Sequence, residues 1–159
     1  MNVQIRPYHS PEAAALYAVF VEAVQIGAAD HYTLAQRLAW APDQPMPDGW
    51  PDRLATPETW VADVDGAIAG FMAVSTAGYI DLAFVRPRWM GRAVAQAVYE
   101  RIVERAQRAD LPCLTTHASH PARHFFARNG WQVDAAEIVD RNGESLTRFA
   151  MSLILEDPK

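Results

Sequence analysis

Cysteine and long apolar runs are scarce in this sequence. Its 159 residues contain one cysteine, Cys113, which excludes an internal disulfide and gives no indication of secretion. No stretch approaches the roughly 18 apolar residues that a membrane-spanning helix needs, and the amino terminus lacks the basic start and apolar run of a signal peptide. We therefore expect a cytoplasmic protein that does not bind membranes.

Several common motifs of catalysis and nucleotide binding are also missing. The sequence contains no GxGxxG, GxxxxGKS/T, GxSxG, HExxH or CxxC pattern. This argues against the commonest dinucleotide-binding, P-loop, hydrolase and zinc proteins.

A metal site is not expected either, although Cys113, His117, His120 and His124 lie close together in the sequence. Cys113 and His117 would be about 13 Å apart along a strand, too far to bind one ion or to pair as nucleophile and base. His120 and His124 share a helix face, but His120 stands beside a proline at a helix start and is equally well placed as a cap.

The charge of the chain is unevenly distributed. A net charge of -5 and a pI near 5.4 argue against a nucleic-acid-binding protein. Between Arg86 and Arg128, however, eight arginines face only three acidic residues, a local charge of +5. Such a patch suits a small polyanion. For Arg101, Arg105 and Arg108, further along the helix, the alternative is a solvated helix face.

Apolar periodicity predicts one domain over residues 1–159. Half of the residues are hydrophobic, enough for a packed core. The elements follow in the order β, α, α, β, β, β, α, β, α, β, β, which predicts an α/β fold with a mixed sheet and helices on its faces. The strands are predicted at Val3–Arg6, Trp60–Val64, Ala67–Val74, Tyr79–Val85, Cys113–His117, Trp131–Val139 and Ser145–Leu155.

A proline-dense segment interrupts this order. Five of the eleven prolines fall between Pro42 and Pro57. We expect an irregular loop there, either the wall of a ligand site or a surface connection held by a buried Trp50.

The stretch from Tyr79 to Ala109 joins an apolar strand, an arginine-rich turn and a helix. The first N–H groups of a helix lack intrahelical partners and carry partial positive charge, so this stretch predicts a phosphate-binding site.

Asp81 is unusual because it is a carboxylate within an apolar strand. Strict alternation would place Tyr79, Asp81, Ala83 and Val85 on one face. If that face opens on a cleft, Asp81 can accept a proton directly or through water. Otherwise it is an exposed or hydrogen-bonded structural residue.

Two segments resemble the motifs of one enzyme family. The segment from Val85 to Ala95, VRPRWMGRAVA, resembles the acetyl-CoA motif V-x-P-x-x-Q-G-x-G-x-G/A of the GNAT N-acetyltransferases. The segment from Ser119 to Trp131, SHPARHFFARNGW, resembles their motif N-x-x-A-x-x-F-Y-x-x-x-G-F. With the opening Ile5-Arg6-Pro7 and the element order, the resemblance covers nearly the whole chain.

This resemblance implies a mixed, mostly antiparallel, splayed sheet with acetyl-CoA in the gap between the strands that begin at Tyr79 and Cys113. The turn and helix start would hold the pyrophosphate, with charge-assisted help from Arg88 or Arg92. The main chain of the Tyr79 strand would pair with the pantetheine arm. The implied cofactor-binding residues are Ala83, Phe84, Val85, Arg88, Met90, Gly91, Arg92, Ala93, Val94, Ala95, Ser119 and Phe126.

The sequence departs from the family pattern at four of these positions. Met90 replaces the usual Gln or Arg, Ser119 replaces Asn, and Ala93 stands where glycine lets the backbone approach phosphate. Phe126 occupies the position of the tyrosine that in many relatives protonates the leaving thiolate. Tyr79, His120 or a water molecule could take that role.

Two functions follow from the resemblance. The first is acetyl transfer from acetyl-CoA to a small-molecule amine by direct attack in a ternary complex, with Asp81 or His117 accepting the amine proton. The second is a catalytically silent module that binds CoA or another ligand. In either case the final hairpin is the candidate surface for a homodimer. Residues that could form an acidic, aromatic acceptor site are Asp30, His31, Trp40, Asp43, Asp48 and Trp50.

Overall fold

The computed structural model describes residues 2–55 and 57–155, so residues 1, 56 and 156–159 of the predicted domain lie outside the described part. The helices are α1 (Ala13–Gln25), α2 (Leu34–Trp40), α3 (Trp50–Ala55), α4 (Val94–Arg108) and α5 (His120–Arg128). The strands are β1 (Val3–Pro7), β2 (Glu58–Val64), β3 (Ala67–Val74), β4 (Tyr79–Val85), β5 (Cys113–Ala118), β6 (Gln132–Arg141) and β7 (Glu144–Ile154). No helix of this part is long and apolar enough to cross a membrane.

The strands form one sheet in the order β1-β2-β3-β4-β5-β7-β6. Only β4 and β5 run parallel, and the other neighbours are antiparallel. Helices α4 and α5 pack on one face, where Val98, Ile102 and Phe126 are buried, while α1 and α3 cover the other with Leu16 and Leu54. The predicted mixed, mostly antiparallel sheet flanked by helices is confirmed.

The sheet splits between β4 and β5. These strands pair only at Tyr79 with Thr115 and at Ile80 with Thr116, and then diverge. Beyond this point β4 continues against β3, and β5 continues against β7. The predicted splay is confirmed, and it leaves one edge of β4 without a neighbouring strand from Leu82 onward.

A β-bulge lies in β4 at the split. Leu82 and Ile80 pair with the consecutive residues Ala73 and Val74 of β3, so Asp81 is an extra residue in the ladder. Ala83 packs with the α4 core, whereas Leu82 and Phe84 pack with the α1 core. The prediction that Asp81 shares a face with Ala83 and Val85 is therefore wrong, because the bulge reverses the alternation after Asp81.

The proline-dense segment contains a helix that the sequence analysis missed. Helix α3 carries Pro51 and Asp52 in its first turn, which is a helix-start signal that we did not recognise among the neighbouring prolines. Trp50 anchors it, because its side chain is buried and its indole N–H donates to the Ala13 carbonyl at 2.9 Å. The expectation of a wholly irregular loop is wrong, and the helix projects Arg53 toward the sheet.

Candidate active site

A cavity of about 880 Å³ opens where β4 and β5 diverge. Its walls come from α1, α2, α3, α5 and the β6–β7 hairpin. Phe84 of the α1-side core and Phe126 of the α4-side core both line it, so the cavity extends through the split from one face of the sheet to the other. Its ionisable lining residues include Arg53, Tyr79, Asp81, His117, Arg141, Glu144 and Arg148.

The lining differs from the acidic acceptor site predicted from sequence. Trp40 and Trp50 do line the cavity, but Asp30, His31, Asp43 and Asp48 are not part of its wall. The cavity keeps the aromatic character of the prediction through Phe20, Tyr32 and Trp40. Its acidic groups are instead Asp81 and Glu144, opposed by arginines from three different elements.

Asp81 lies in this wall and forms a two-pronged ion pair with Arg53. The guanidinium donates from Nε to Oδ2 at 2.9 Å and from Nη2 to Oδ1 at 3.1 Å. About a third of the Asp81 side chain is exposed (32%). Each carboxylate oxygen therefore already accepts one hydrogen bond, and Asp81 lines the cavity.

His117 faces the cavity from β5 and belongs to a chain of four side chains. Its Nδ1 lies 2.8 Å from the hydroxyl of Tyr79, on the other side of the split. Its Nε2 lies 3.6 Å from Glu137 Oε1, and the same Glu137 oxygen accepts a hydrogen bond from Arg148 Nε at 2.9 Å. Burial, followed by the charge of Asp81, raises the pKa of Tyr79 above its usual value of 10.0.

The turn before α4 has the backbone shape of an anion-binding loop. Gly91 and Ala93 both adopt left-handed conformations, with φ of 73° and 63°. The Met90 N–H donates to the Pro87 carbonyl at 3.2 Å, while the helical ladder begins only with Ala97 N–H to the Ala93 carbonyl at 3.1 Å. Of the predicted phosphate-binding N–H groups, those from Gly91 to Ala95 precede this ladder, whereas that of Met90 is already paired.

The side chains of the turn form an aromatic and cationic cluster. The guanidinium carbons of Arg88 and Arg92 lie 5.0 and 5.9 Å from the ring centre of Trp89, within the range of cation–π contacts. Met90 reaches back across Gly27 at the end of α1. The side chains of Arg88 and Arg92 therefore both lie against Trp89 at the turn, and the Met90 side chain packs beside Gly27.

The unpaired edge of β4 carries the main-chain groups expected to meet the cofactor. Arg86 N–H donates to Ala69 of β3 at 2.8 Å. Because successive residues of a strand point to opposite neighbours, the N–H and C=O groups of Ala83 and Val85 are directed toward the gap. Those of Phe84 are directed toward β3, so Phe84 can contribute to the site only through its side chain.

The second family motif forms the start and middle of α5. Ser119 is the N-cap, and its hydroxyl accepts a hydrogen bond from Ala122 N–H at 3.4 Å. Phe126 is only 1% exposed and packs 4.7 Å, centre to centre, from Trp131. Both residues line the cavity, but Phe126 offers it no hydroxyl.

The histidines considered as metal ligands do not gather as a set. His117 faces Tyr79, whereas His120 and His124 lie near His31, with ring centres 6.2 and 6.3 Å from it. Within residues 2–55 and 57–155, no three ligand-type side chains are arranged to hold a metal ion. Burial, then the neighbouring charges of His31, Arg123 and His124, lowers the pKa of His120 below 6.5.

Sequence reasoning missed three residues of the cavity network. Arg53 was hidden in the proline-dense segment, where the α3 start signal at Pro51-Asp52 would have revealed a helix. Glu137 and Arg148 face each other across the β6–β7 hairpin. Once the hairpin turn at Asn142-Gly143 fixes the register, their opposite charges could have been paired from sequence.

The splayed sheet and the loop before α4 are features of an acetyltransferase fold, and sequence similarity gives the family. The sequence matches the acetyltransferase (GNAT) domain over residues 28–153, and the chain belongs to the GNAT acetyltransferase family. It is 34% identical to the uncharacterized N-acetyltransferase YafP of Escherichia coli K12 over 94% of this chain and 95% of that protein.

Solved structures share the fold. A GCN5-related N-acetyltransferase from Rhodopseudomonas palustris superposes with a TM-score of 0.91 at 30% identity, covering 98% of this chain and 97% of that one. The PaiA N-acetyltransferase from Thermoplasma acidophilum, whose structure contains coenzyme A, superposes with a TM-score of 0.73 at 13% identity, covering 98% of this chain and all (100%) of that one.

Proposed function

We propose that the protein transfers an acetyl group from acetyl-CoA to the amine of a small molecule, by direct attack within a ternary complex. One observation carries this proposal: β4 and β5 separate after two residue pairs, so a single cavity connects the α4 side of the sheet with the α1 side. A thioester entering from one side can meet an amine that enters from the other.

The turn before α4 fits the pyrophosphate of the donor. The N–H groups from Gly91 to Ala95 precede the helical ladder, and Arg88 and Arg92 flank the same turn. Main-chain groups of Ala83 and Val85 would bind the pantetheine amides, and a backbone N–H on this edge would stabilise the oxyanion that forms as the amine attacks. The PaiA N-acetyltransferase from Thermoplasma acidophilum, which shares the fold, was solved in complex with coenzyme A, and this supports a CoA thioester as the donor.

The acceptor enters between α1, α2 and the β6–β7 hairpin. Aromatic side chains dominate this side, and the acidic and basic lining residues nearly balance. We therefore infer a compact amine with an apolar body rather than a polyamine, which would need a surplus of carboxylates. Asp81, after separation from Arg53, or His117 accepts the proton that the amine loses.

The test is acetyl transfer in solution. The protein is incubated with acetyl-CoA and a panel of primary amines of varied charge and apolar surface, and thiol release is followed with and without amine. In parallel, thermal unfolding is measured with acetyl-CoA alone. We expect stabilisation by acetyl-CoA and thiol release that depends on particular amines.

Two other outcomes are informative. Stabilisation without thiol release across a broad panel would favour a silent CoA-binding module, the alternative suggested by Met90, Ala93 and Phe126. Neither stabilisation nor release would contradict both functions.

A further inference from the structure

The proposed reaction lacks an evident proton donor for the leaving thiolate. Phe126 takes the position of the family tyrosine and cannot supply a proton. A thiol has a pKa of about 8.5, so a thiolate can leave unaided, but a positioned acid typically accelerates such a step by about 10² to 10⁴. If the step is assisted, another hydroxyl of the cavity must supply the proton.

Tyr79 presents such a hydroxyl at the split. It belongs to one of the two residue pairs that join β4 to β5 next to the gap, and it lines the cavity. Its oxygen lies 2.8 Å from His117 Nδ1. This geometry places a phenol beside the gap with a second titratable group directly behind it.

The surroundings of Tyr79 keep the phenol protonated near neutral pH. Burial is the largest cause of its raised pKa, followed by the negative charge of Asp81, while Arg148 and Arg53 act in the opposite direction and Glu137 adds to the rise. A phenol in this state can donate a proton and is poorly suited to accept one from an amine.

Glu137 and Arg148 hold the imidazole in place. Glu137 Oε1 lies 3.6 Å from His117 Nε2, an ion-pair distance when the ring is protonated, and Arg148 fixes the same oxygen at 2.9 Å. With Nε2 directed at a carboxylate, Nδ1 is directed at the Tyr79 oxygen. Glu137 is therefore a positioning residue, as carboxylates behind catalytic histidines generally are.

We propose that Tyr79 is the catalytic acid that protonates the leaving thiolate, and that His117 restores the Tyr79 proton. This inference rests on the proposed acetyl transfer, with Asp81 or water rather than His117 as the group that first accepts the amine proton. As the nitrogen–carbon bond forms and the carbon–sulfur bond breaks, the sulfur leaves with the electron pair and takes the Tyr79 hydroxyl proton. The protonated His117 returns a proton from Nδ1 to the phenolate. The proton that the amine releases passes through Asp81 or water to His117 and reprotonates it. The proton lost by nitrogen therefore equals the proton gained by sulfur, and each side chain ends in its starting state.

The experiment compares Tyr79→Phe with the matched control Tyr8→Phe, whose hydroxyl binds the Ser10 carbonyl outside the cavity. We expect Tyr79→Phe to lower kcat by about 10²-fold with little change in KM for acetyl-CoA, because only proton donation is removed. The Tyr8 variant should match the original protein. Equal kcat in all three proteins would overturn the inference while leaving acetyl transfer intact.

A rescue variant separates chemistry from structural damage. Phe126→Tyr in the Tyr79→Phe background supplies a hydroxyl at the family position and should recover roughly tenfold or more of the lost kcat. Failure of this rescue, with both variants folded and binding acetyl-CoA normally, would count against proton donation as the role of Tyr79.

A second measurement does not depend on turnover. The ¹⁵N NMR signal of His117 Nδ1 should shift between the original protein and Tyr79→Phe, because the 2.8 Å hydrogen bond is lost. An unchanged signal would overturn the relay even if no amine substrate were found. Absence of turnover in the original protein, with the shift present, would instead contradict the proposed function.

Discussion

Ala93 adopts a backbone conformation that is typical of glycine. Its φ of 63° lies in the left-handed region that glycine adopts freely, and it is the N-cap of α4. For alanine this conformation costs about 1 to 2 kcal/mol. The loop therefore keeps an anion-binding shape at the expense of local strain and an added methyl group.

We predict that Ala93→Gly stabilises the protein by about 0.5 to 1 kcal/mol, since relief of strain exceeds the entropy that glycine adds to the unfolded chain. Acetyl-CoA should also bind more tightly, because the methyl group beside the proposed pyrophosphate site is removed. Denaturant unfolding and titration with acetyl-CoA measure both effects. The control Ala97→Gly lies within α4 and should destabilise by about 1 kcal/mol, so equal effects at the two positions would contradict the strain argument.

The proposed role of Asp81 as proton acceptor can be tested by comparing substitutions of Asp81 with substitutions of its partner Arg53. Asp81→Asn and Arg53→Gln both break the same ion pair, but only the first removes a proton acceptor. If Asp81 accepts the amine proton, Asp81→Asn should lower kcat by about 10²-fold with unchanged acetyl-CoA affinity, while Arg53→Gln should retain most of kcat. Equal losses in both variants would show that the pair only positions α3.

At the scale of elements, the split depends on how closely β3 and β4 approach. A Cβ added to Gly70 would lie 2.8 Å from the Phe84 carbonyl oxygen and 3.2 Å from Val85 Cα. These are backbone atoms of the strand that borders the gap, and they can move only if β4 shifts. Gly70 therefore keeps β4 against β3 and the gap open.

We predict that Gly70→Ala destabilises the protein by about 1 to 3 kcal/mol and weakens acetyl-CoA binding, because β4 must move away from β3. Gly49→Ala is the matched control, since a Cβ there meets no atom within 4 Å, and it should change stability by no more than about 0.5 kcal/mol. Normal acetyl-CoA affinity in Gly70→Ala would show that the gap tolerates the shift.

For the whole molecule, stability should depend on pH through His120. This residue links α5 to the segment before α2, because its backbone N–H donates to the Tyr32 hydroxyl at 3.0 Å and His31 lies nearby. Its pKa is lowered in the folded state, so the unfolded chain binds a proton first as the pH falls. His120 therefore contributes stability above its unfolded pKa, and this contribution is lost on acidification.

We predict a fall in thermal midpoint between about pH 7.5 and about pH 5.5, and a smaller fall in His120→Gln. Glu12 and Glu58, whose pKa values are lowered from 4.5 mainly by hydrogen bonds from Arg6 and Arg105, lose their contributions only at lower pH. His31→Gln should reduce this fall less than His120→Gln does, because burial lowers the pKa of His120 more than the charge of His31 does. The same pH dependence in the original protein and in His120→Gln would contradict this assignment.

The local sequence was sufficient for the strands, for the helices other than α3, and for the turn before α4. Asp65-Gly66 and Asn142-Gly143 both adopt positive φ, as tight hairpins require, and the strands that they join form close to the predicted ranges. The strand, turn and helix from Tyr79 to Ala109 also appear where predicted, because turn residues and helix starts are encoded within a few neighbouring residues.

The tertiary structure decided the side chains of the site. The bulge at Asp81 arises from pairing with β3, and it turns this carboxylate toward Arg53, 28 positions earlier in the chain. Tyr79 and His117 meet across 38 positions because β4 and β5 pair briefly before they separate. Sequence patterns report local periodicity and turn chemistry, whereas such contacts depend on strand register and sheet order, which are settled only when the whole core packs.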